Sequence, residues 1–220
     1  MNAWILSLTA GSGDGISVCF ELYDGAHSER RSLIISTEAL MRLGLNKGEC
    51  SPELFDEAEK EARIYSAYTR GLYILSYGAC SRNMLVSKLI TKGEERSAVI
   101  EAVERICERG FINESESAKR EAEIAVGKLW GESRIRAHLI QRKYPSEIVD
   151  EALFALEDEG LDFDVICKRA IASKYKKIPT DRMEMQKLIA SMCRRGFSVS
   201  QIRPACIELA EEYRKKHMFD

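Results

Sequence analysis

The hydrophobic positions of the first fifty residues follow a strand pattern. Residues 4–8 and 16–22 are rich in β-branched and aromatic side chains, and a shorter apolar run covers residues 33–35. The segment Gly11-Ser12-Gly13-Asp14-Gly15 separates the first two runs and is typical of a flexible turn. These glycines have neither the G-x-G-x-x-G spacing nor the G-K-[ST] ending of phosphate-binding loops, and a strand pattern follows them. We therefore predict a small β-hairpin segment within a β-rich N-terminal extension over residues 1–50.

After Thr37 the apolar positions recur at helical spacing. Ser51-Pro52 is a helix start signal, because serine caps a helix and proline fits the first helical position, where its missing N–H costs nothing. Residues 52–77 then carry an apolar stripe that predicts a long helix. From there to the end of the chain no strand pattern appears, so the protein is predicted to be mainly α.

The helical part contains three copies of one apolar pattern. With Gly93, Lys143 and Gly196 as reference positions, apolar residues recur at offsets −8, −4, +6, +10 and +13 in every copy. The fifteen positions are Leu85, Leu89, Val99, Val103 and Ile106; Ile135, Leu139, Val149, Leu153 and Leu156; and Leu188, Met192, Ile202, Cys206 and Leu209. The first two offsets define one helix face and the last three define another, so each copy is predicted to be a helix, a tight turn and a helix.

The sequence also predicts where the helices of each repeat begin and end. Gly110 and Gly160 stand where a helix C-cap belongs, and third helices are predicted over about 115–129 and 162–175. We expect Ser97, Ser146 and Ser200 to cap the second helices, which places Pro204 in a first turn. The predicted organisation is tandem three-helix repeats in three copies: a linking helix and repeat 1 over 51–127, repeat 2 over 128–178, and repeat 3 with the C-terminal tail over 179–220.

Composition fits a soluble globular protein. Hydrophobic residues make up 45% and charged residues 31%, and there are only 14 Gly and 4 Pro. No apolar run approaches the length of a membrane span, and the N-terminus lacks the basic start of a signal peptide, so we expect a cytoplasmic protein without membrane contact. The seven cysteines form no C-x-x-C pair and the three histidines are scattered. We therefore expect the cysteines to be core residues and predict no metal site, no cofactor and no catalytic residue.

The net charge of −2 conceals an asymmetry along the chain. Residues 1–60 hold five basic and ten acidic residues, whereas residues 161–220 hold thirteen basic and eight acidic residues. Such polarity indicates that one end of the chain faces an anionic partner, either a phosphate backbone or an acidic protein surface. A solvated helix face is the alternative for any single cluster.

One basic position repeats in all three copies. Lys92, Arg142 and Arg195 each stand immediately before the reference position. A cation in the last turn of a helix stabilises it by about 0.3–1 kcal/mol through the helix dipole, and this explanation suffices for each residue alone. The other interpretation is a basic stripe that binds a partner. The candidate partner-binding residues are Lys88, Lys92, Arg134, Arg136, Arg142, Lys143, Lys187, Arg194 and Arg195.

Several segments together resemble the RecX family, the regulatory proteins of the RecA recombinase. The resemblance covers about residues 60–210, and residues 35–48 look like the N-terminal extension of some members. The segments are Leu89–Gly93, Ala98–Val103, Glu108–Ile112, Trp130–Leu139, Ile148–Leu153 and Cys193–Ser198 with Ile202. This chain departs from the family pattern at Lys143, where a glycine is usual, and at residues 113–118, which lack an aromatic residue.

The resemblance implies an inhibitor of RecA. Members of the family bind RecA filaments on single-stranded DNA, lie along the filament groove and block its extension or promote its disassembly. They thereby restrain recombination, DNA repair and the co-protease activity of the SOS response. On this interpretation the partner is the RecA filament, contact with single- or double-stranded DNA is weak, and the protein is a monomer without enzymatic activity. Both capping of filament ends and coating of the groove agree with the sequence.

Two other functions are compatible with the residues. A stand-alone DNA-binding protein is one, because helix-turn-helix units with basic residues also read DNA; however, the basic residues are spread over three repeats and not massed on one helix. A cysteine-dependent enzyme is the other, with Cys193 beside Arg194 and Arg195 as its only candidate nucleophile.

Overall fold

The structure is a computed structural model that describes residues 2–25 and 27–216. These residues form four strands and ten helices, in two compact units, Met1–Ile112 and Asn113–Asp220. The first unit contains β1 (Asn2–Ala10), β2 (Gly15–Asp24), β3 (His27–Ser36), α1 (Thr37–Leu43), β4 (Gly48–Cys50), α2 (Pro52–Ser76), α3 (Arg82–Thr91) and α4 (Arg96–Glu108). The second contains α5 (Glu114–Gly127), α6 (Glu132–Gln141), α7 (Ser146–Asp158), α8 (Phe163–Lys174), α9 (Arg182–Arg194) and α10 (Val199–Lys216). The predicted fold class, mainly α with a small β segment in front, is confirmed.

The N-terminal strands form an antiparallel sheet in the order β3-β2-β1-β4. One face is buried through alternating residues such as Val18, Phe20 and Leu22, as the period of a strand requires. The predicted β1–β2 hairpin is present, and β3 extends well beyond the apolar run at 33–35. Strand β4 was not predicted, because its three residues are too short to show alternation.

Helix α2 connects the sheet to the helical part of the first unit. Ser51 caps it, its hydroxyl accepting a hydrogen bond of 3.2 Å from the Leu54 amide, and Pro52 occupies the first position, as predicted. Phe55 and Ala58 near its start pack into the core of the sheet, whereas Ile64 and later residues pack against α3 and α4. The helix therefore belongs to two cores at once.

The three predicted helix pairs are α3–α4, α6–α7 and α9–α10. Fourteen of the fifteen apolar positions of the repeat are buried, and Leu209 is half-buried. All three reference residues have left-handed backbone conformations, with φ of 90° at Gly93, 63° at Lys143 and 94° at Gly196. Gly110 and Gly160 end their helices in the same conformation, as predicted.

Each helix pair shares its core with the helix that precedes it. The buried clusters join α2 to α3 and α4, α5 to α6 and α7, and α8 to α9 and α10. The predicted third helices, over 115–129 and 162–175, are present as α5 and α8. Each of them packs with the pair that follows it in the chain.

The predicted serine caps of the second helices are wrong. Helix α4 begins at Arg96 and α10 at Val199, so Ser97 and Ser200 lie inside their helices, and Ser146 is the first residue of α7. Ser198 is the residue whose hydroxyl accepts from the Gln201 amide, at 3.3 Å. Pro204 consequently lies in the second turn of α10, where its missing N–H removes one hydrogen bond of the helix.

Candidate partner-binding surface

The nine predicted binding residues divide between the two units. Lys88 lies in the last turn of α3 and Lys92 is the C-cap residue of that helix. In the second unit, Arg134 and Arg136 lie on α6, and Arg142 and Lys143 follow that helix directly. Lys187 and Arg194 lie on α9, and Arg195 is its C-cap residue. All nine therefore lie on, or at the C-terminal end of, the first helix of a predicted helix pair.

Five of these cations have no acidic partner in the part of the chain that the structure describes. No carboxylate lies within 4.0 Å of the side-chain nitrogens of Lys88, Lys92, Arg134, Arg194 or Arg195. Lys92, Arg134 and Arg194 are exposed, and the other two are half-buried. Unpaired cations on a surface retain their full capacity for an anionic partner, because no internal carboxylate competes for them.

Arg142 has a different role from the other two residues at the repeated position. Its guanidinium donates to the carboxylate of Glu121 on α5, with Nε–Oε2 at 3.2 Å and Nη2–Oε1 at 3.0 Å. The same carboxylate accepts from the Tyr144 hydroxyl at 3.2 Å and lies 3.3 Å from His138 Nε2. Arg142 therefore joins α6 to α5, and its charge is already balanced within the unit.

Two more of the predicted residues are ion-paired. Arg136 bonds to Asp150 on α7 and to Glu132 one turn earlier on α6, and these partners raise the pKa of its guanidinium. Lys187 pairs with Glu184 at 2.7 Å, although both side chains are largely exposed. Exposed pairs of this kind hold their partners weakly, so Lys187 can still exchange Glu184 for another anion.

Trp130 is a feature of this region that the charge pattern alone did not reveal. The Arg134 guanidinium carbon lies 3.9 Å from the centre of the indole ring, and Lys128 Nζ lies 5.6 Å from it. The His138 ring meets the same indole edge-on at 5.5 Å. The signal in the sequence was the short separation between Trp130, two residues before α6 begins, and Arg134 in the first turn of that helix, which lets the guanidinium stack on the indole.

Two glycines bring the beginning of α6 and the end of α9 together. The Gly131 amide donates a hydrogen bond of 2.8 Å to the carbonyl oxygen of Arg195. A Cβ atom on Gly196 would lie only 2.5 Å from Arg134 Cβ, so the two backbones touch. The backbone of Arg195 therefore lies next to Gly131, and Arg134 lies beside both Gly196 and the Trp130 ring. Arg194 directly precedes Arg195 in α9. We call Arg134, Arg194, Arg195 and Trp130 the arginine–tryptophan patch.

Cys193, the candidate nucleophile, is exposed on α9. No group of three or more His, Cys, Asp or Glu side chains in the described ranges is placed to hold a metal ion. Burial raises the pKa of the Cys167 thiol to about 12, which keeps it protonated and unreactive. None of the helices between residues 37 and 216 is long and apolar enough to cross a bilayer.

Comparison with known proteins identifies relatives along most of the chain. No family model matches it. A regulatory protein RecX from Chlorobaculum tepidum is 30% identical over 73% of this chain and 99% of its own length. A regulatory protein RecX from Caldanaerobacter subterraneus subsp. tengcongensis is 27% identical over 76% of this chain and 83% of its own length. About a quarter of this chain lies outside its match with the Chlorobaculum protein.

Two solved structures share the fold. A crystal structure of a regulatory protein RecX matches 96% of this chain and 99% of its own, with a TM-score of 0.72 and 19% identity. The structure of RecX from Lactobacillus salivarius matches 67% of this chain and 96% of its own, with a TM-score of 0.56 and 21% identity. The identity and near-complete coverage of the Chlorobaculum relative establish that the chain belongs to the RecX family of regulatory proteins.

Proposed function

We propose that the chain inhibits RecA by binding along the RecA–single-stranded DNA filament, where it blocks extension or promotes disassembly. Its membership of a family of regulatory proteins and the resemblance of its repeats to inhibitors of RecA support this proposal. The role is one of binding and needs no catalysis by this chain. We propose that the protein acts as a monomer in the cytoplasm, where RecA filaments form on DNA.

The observation that carries the proposal is the set of five unpaired cations. Lys88 and Lys92 occupy the end of α3, and Arg194 and Arg195 occupy the corresponding end of α9. Lys92 and Arg195 occupy equivalent positions of two repeats and have no carboxylate partner among the described residues. A filament offers equivalent anionic groups on successive protomers. Repeated weak contacts add up to firm binding when the sites on both partners are spaced alike. Arg136 and Arg142 contribute less, because carboxylates of the same unit already hold them.

The test is RecA ATPase activity on single-stranded DNA, with RecA from the same organism. We expect the wild-type chain to lower this activity, and the triple variant Lys92→Glu, Arg194→Glu, Arg195→Glu to be about tenfold or more weaker. The matched control is Arg169→Glu, Lys176→Glu, Arg203→Glu, which reverses three exposed cations outside the set and should inhibit like wild type. Equal inhibition by both triple variants would refute the role of the unpaired cations, and no inhibition by the wild type would refute the proposal itself.

The dose of protein distinguishes the two modes of inhibition. End capping or disassembly acts at far fewer than one molecule per RecA protomer, whereas coating of the groove needs a comparable number. Binding to DNA alone is separable by salt, because a protein that neutralises several phosphates loses affinity steeply as ionic strength rises. We expect the affinity for RecA-free DNA to be weak at physiological salt and inhibition of RecA to persist there.

A further inference from the structure

A second surface lies in the first unit and is lined by none of the predicted binding residues. It is a groove of about 830 Å³ between the sheet and helix α2. One wall is the segment Ser32–Ile34 of β3, and the other is the face of α2 that carries Ala62, Tyr65, Thr69 and Leu72. The turn around Asp14 closes one side. The groove thus presents apolar walls with hydroxyl groups and carboxylates around them.

Strand β3 brings an unpaired edge to this groove. It is the outermost strand of the sheet, and it pairs only with β2. Within the described residues, the backbone of Ser32–Ile35 makes no hydrogen bond outside the β2–β3 ladder. Its first half is protected by the charges of Glu29, Arg30 and Arg31, but Leu33, Ile34 and Ile35 carry neither charge nor proline. An edge of this kind is a template for another strand.

One carboxylate of the groove, Asp14, makes no direct ion pair in the described residues, although the charge of Arg109 attracts it at longer range. Glu59 is held by Arg31 and Arg63, each at 2.7 Å, and Glu94 is held by Arg70 at 2.9 Å. Asp14 accepts a hydrogen bond of 2.9 Å from the Tyr65 hydroxyl, and in the described part of the chain no cation lies within 4.0 Å of it. Burial and this hydrogen bond raise the pKa of Tyr65 to about 12, so the tyrosine stays a donor and fixes the carboxylate in place.

We propose that this groove binds an extended segment of a partner protein in which apolar and basic residues alternate. The segment pairs as an added strand with the free edge of β3, and its apolar side chains lie against Leu33, Ala62 and Leu72. A basic side chain of the segment reaches Asp14, which makes no direct ion pair within the described residues. Main-chain hydrogen bonds supply affinity in this mode of binding, and the alternate side chains supply specificity.

The full chain can be tested with synthetic peptides. The probe is a fluorescein-labelled peptide of about ten residues that alternates lysine and valine, and its binding is followed by anisotropy at about 0.15 M salt. Two control peptides replace lysine by glutamate, or valine by proline; the second keeps the charge but cannot form a strand. We expect the lysine–valine peptide to bind about tenfold or more tightly than either control. Equal binding of the lysine–valine and lysine–proline peptides would overturn the proposal.

Variants on one helix locate the binding surface. Thr69→Trp fills the groove, and we expect it to weaken binding by about tenfold or more. Tyr73→Trp places the same side chain one turn further along α2, outside the groove, and should leave binding unchanged. Hydrogen exchange at Ser32–Ile35 gives a separate readout, because an added strand slows exchange of the edge amides. Binding that survives Thr69→Trp would refute the groove as the site, and binding without slower exchange would refute strand addition.

Discussion

The backbone amide of Gly131 lies 2.8 Å from the carbonyl oxygen of Arg195, and this hydrogen bond joins the beginning of α6 to the end of α9. The contact is possible because neither Gly131 nor Gly196 has a side chain. A Cβ atom on Gly131 would overlap the Gly196 carbonyl group and lie 2.8 Å from the Phe197 ring. The contact unites two of the repeats and holds the arginine–tryptophan patch together.

Gly131→Ala should therefore destabilise the second unit. We expect the free energy of unfolding to fall by roughly 1–3 kcal/mol, because backbone atoms on both sides must shift to admit the methyl group. Trp130 reports on this unit by fluorescence during urea denaturation, in a Trp4→Phe background that removes the only other tryptophan. Gly127→Ala is the matched control: nothing lies within 4 Å of its added Cβ atom, so its stability should equal or exceed that of wild type.

Lys143 occupies a backbone conformation that glycine adopts at lower cost. Its φ of 63° matches the role of Gly93 and Gly196 in the other repeats, and a side chain in this region costs about 1 kcal/mol. We expect Lys143→Gly to raise the free energy of unfolding of the second unit by roughly 0.5–1 kcal/mol. Gly160→Ala, at φ of 90° in the same unit, should lower it by a similar amount. A loss of stability in Lys143→Gly would contradict this account.

The repeat could be predicted from sequence because it depends on burial, which has a period. Leu139 and Met192 are apolar at matching offsets and fully buried, and Gly110 and Gly160 end helices for a local reason. Helix starts are less determined, since several serines compete for each cap; Ser198, and not Ser200, caps α10. The ion pairs of Arg136 and Arg142 join residues far apart in sequence, and no local pattern specifies them. For this reason the charge pattern could not separate paired from unpaired cations.

The difference between the paired Arg142 and the unpaired Arg195 predicts unequal stability effects at equivalent positions of two repeats. Arg142→Ala should lower the free energy of unfolding by about 1 kcal/mol, because it removes the hydrogen bonds to Glu121 that join α5 and α6. Arg195→Ala should change it by less than about 0.5 kcal/mol, because its side chain has no carboxylate partner among the described residues. The free energies of unfolding of the two variants can be compared by Trp130 fluorescence during urea denaturation, with Trp4→Phe in both proteins. A larger loss from Arg195→Ala would show that its contribution is structural.

A buried carboxylate connects three helices of the first unit. Glu61 on α2 is only 5% exposed. Its carboxylate accepts hydrogen bonds of 2.9 and 3.1 Å from the guanidinium of Arg105 on α4. It also forms an ion pair of 2.5 Å with Arg42 of α1. Burial alone would raise the pKa of Glu61, but the hydrogen bonds and charges of Arg105 and Arg42 together outweigh it, so the pKa is lowered. Folding therefore favours the ionised carboxylate.

This lowered pKa makes the first unit sensitive to acid. A carboxyl group whose pKa is lower in the folded than in the unfolded state stabilises the fold above its ordinary pKa of about 4.5, and that contribution disappears as the pH falls through the folded-state value. We expect Glu61→Gln to cost roughly 1–3 kcal/mol at neutral pH, since Arg42 and Arg105 lose the buried carboxylate that joins them and Arg105 keeps only Glu101. The difference between wild type and variant should shrink steadily below pH 4.5, measured by Trp4 fluorescence during urea denaturation in a Trp130→Phe background. A difference that stays constant down to the acid transition would mean that packing, and not ionisation, accounts for the effect of Glu61.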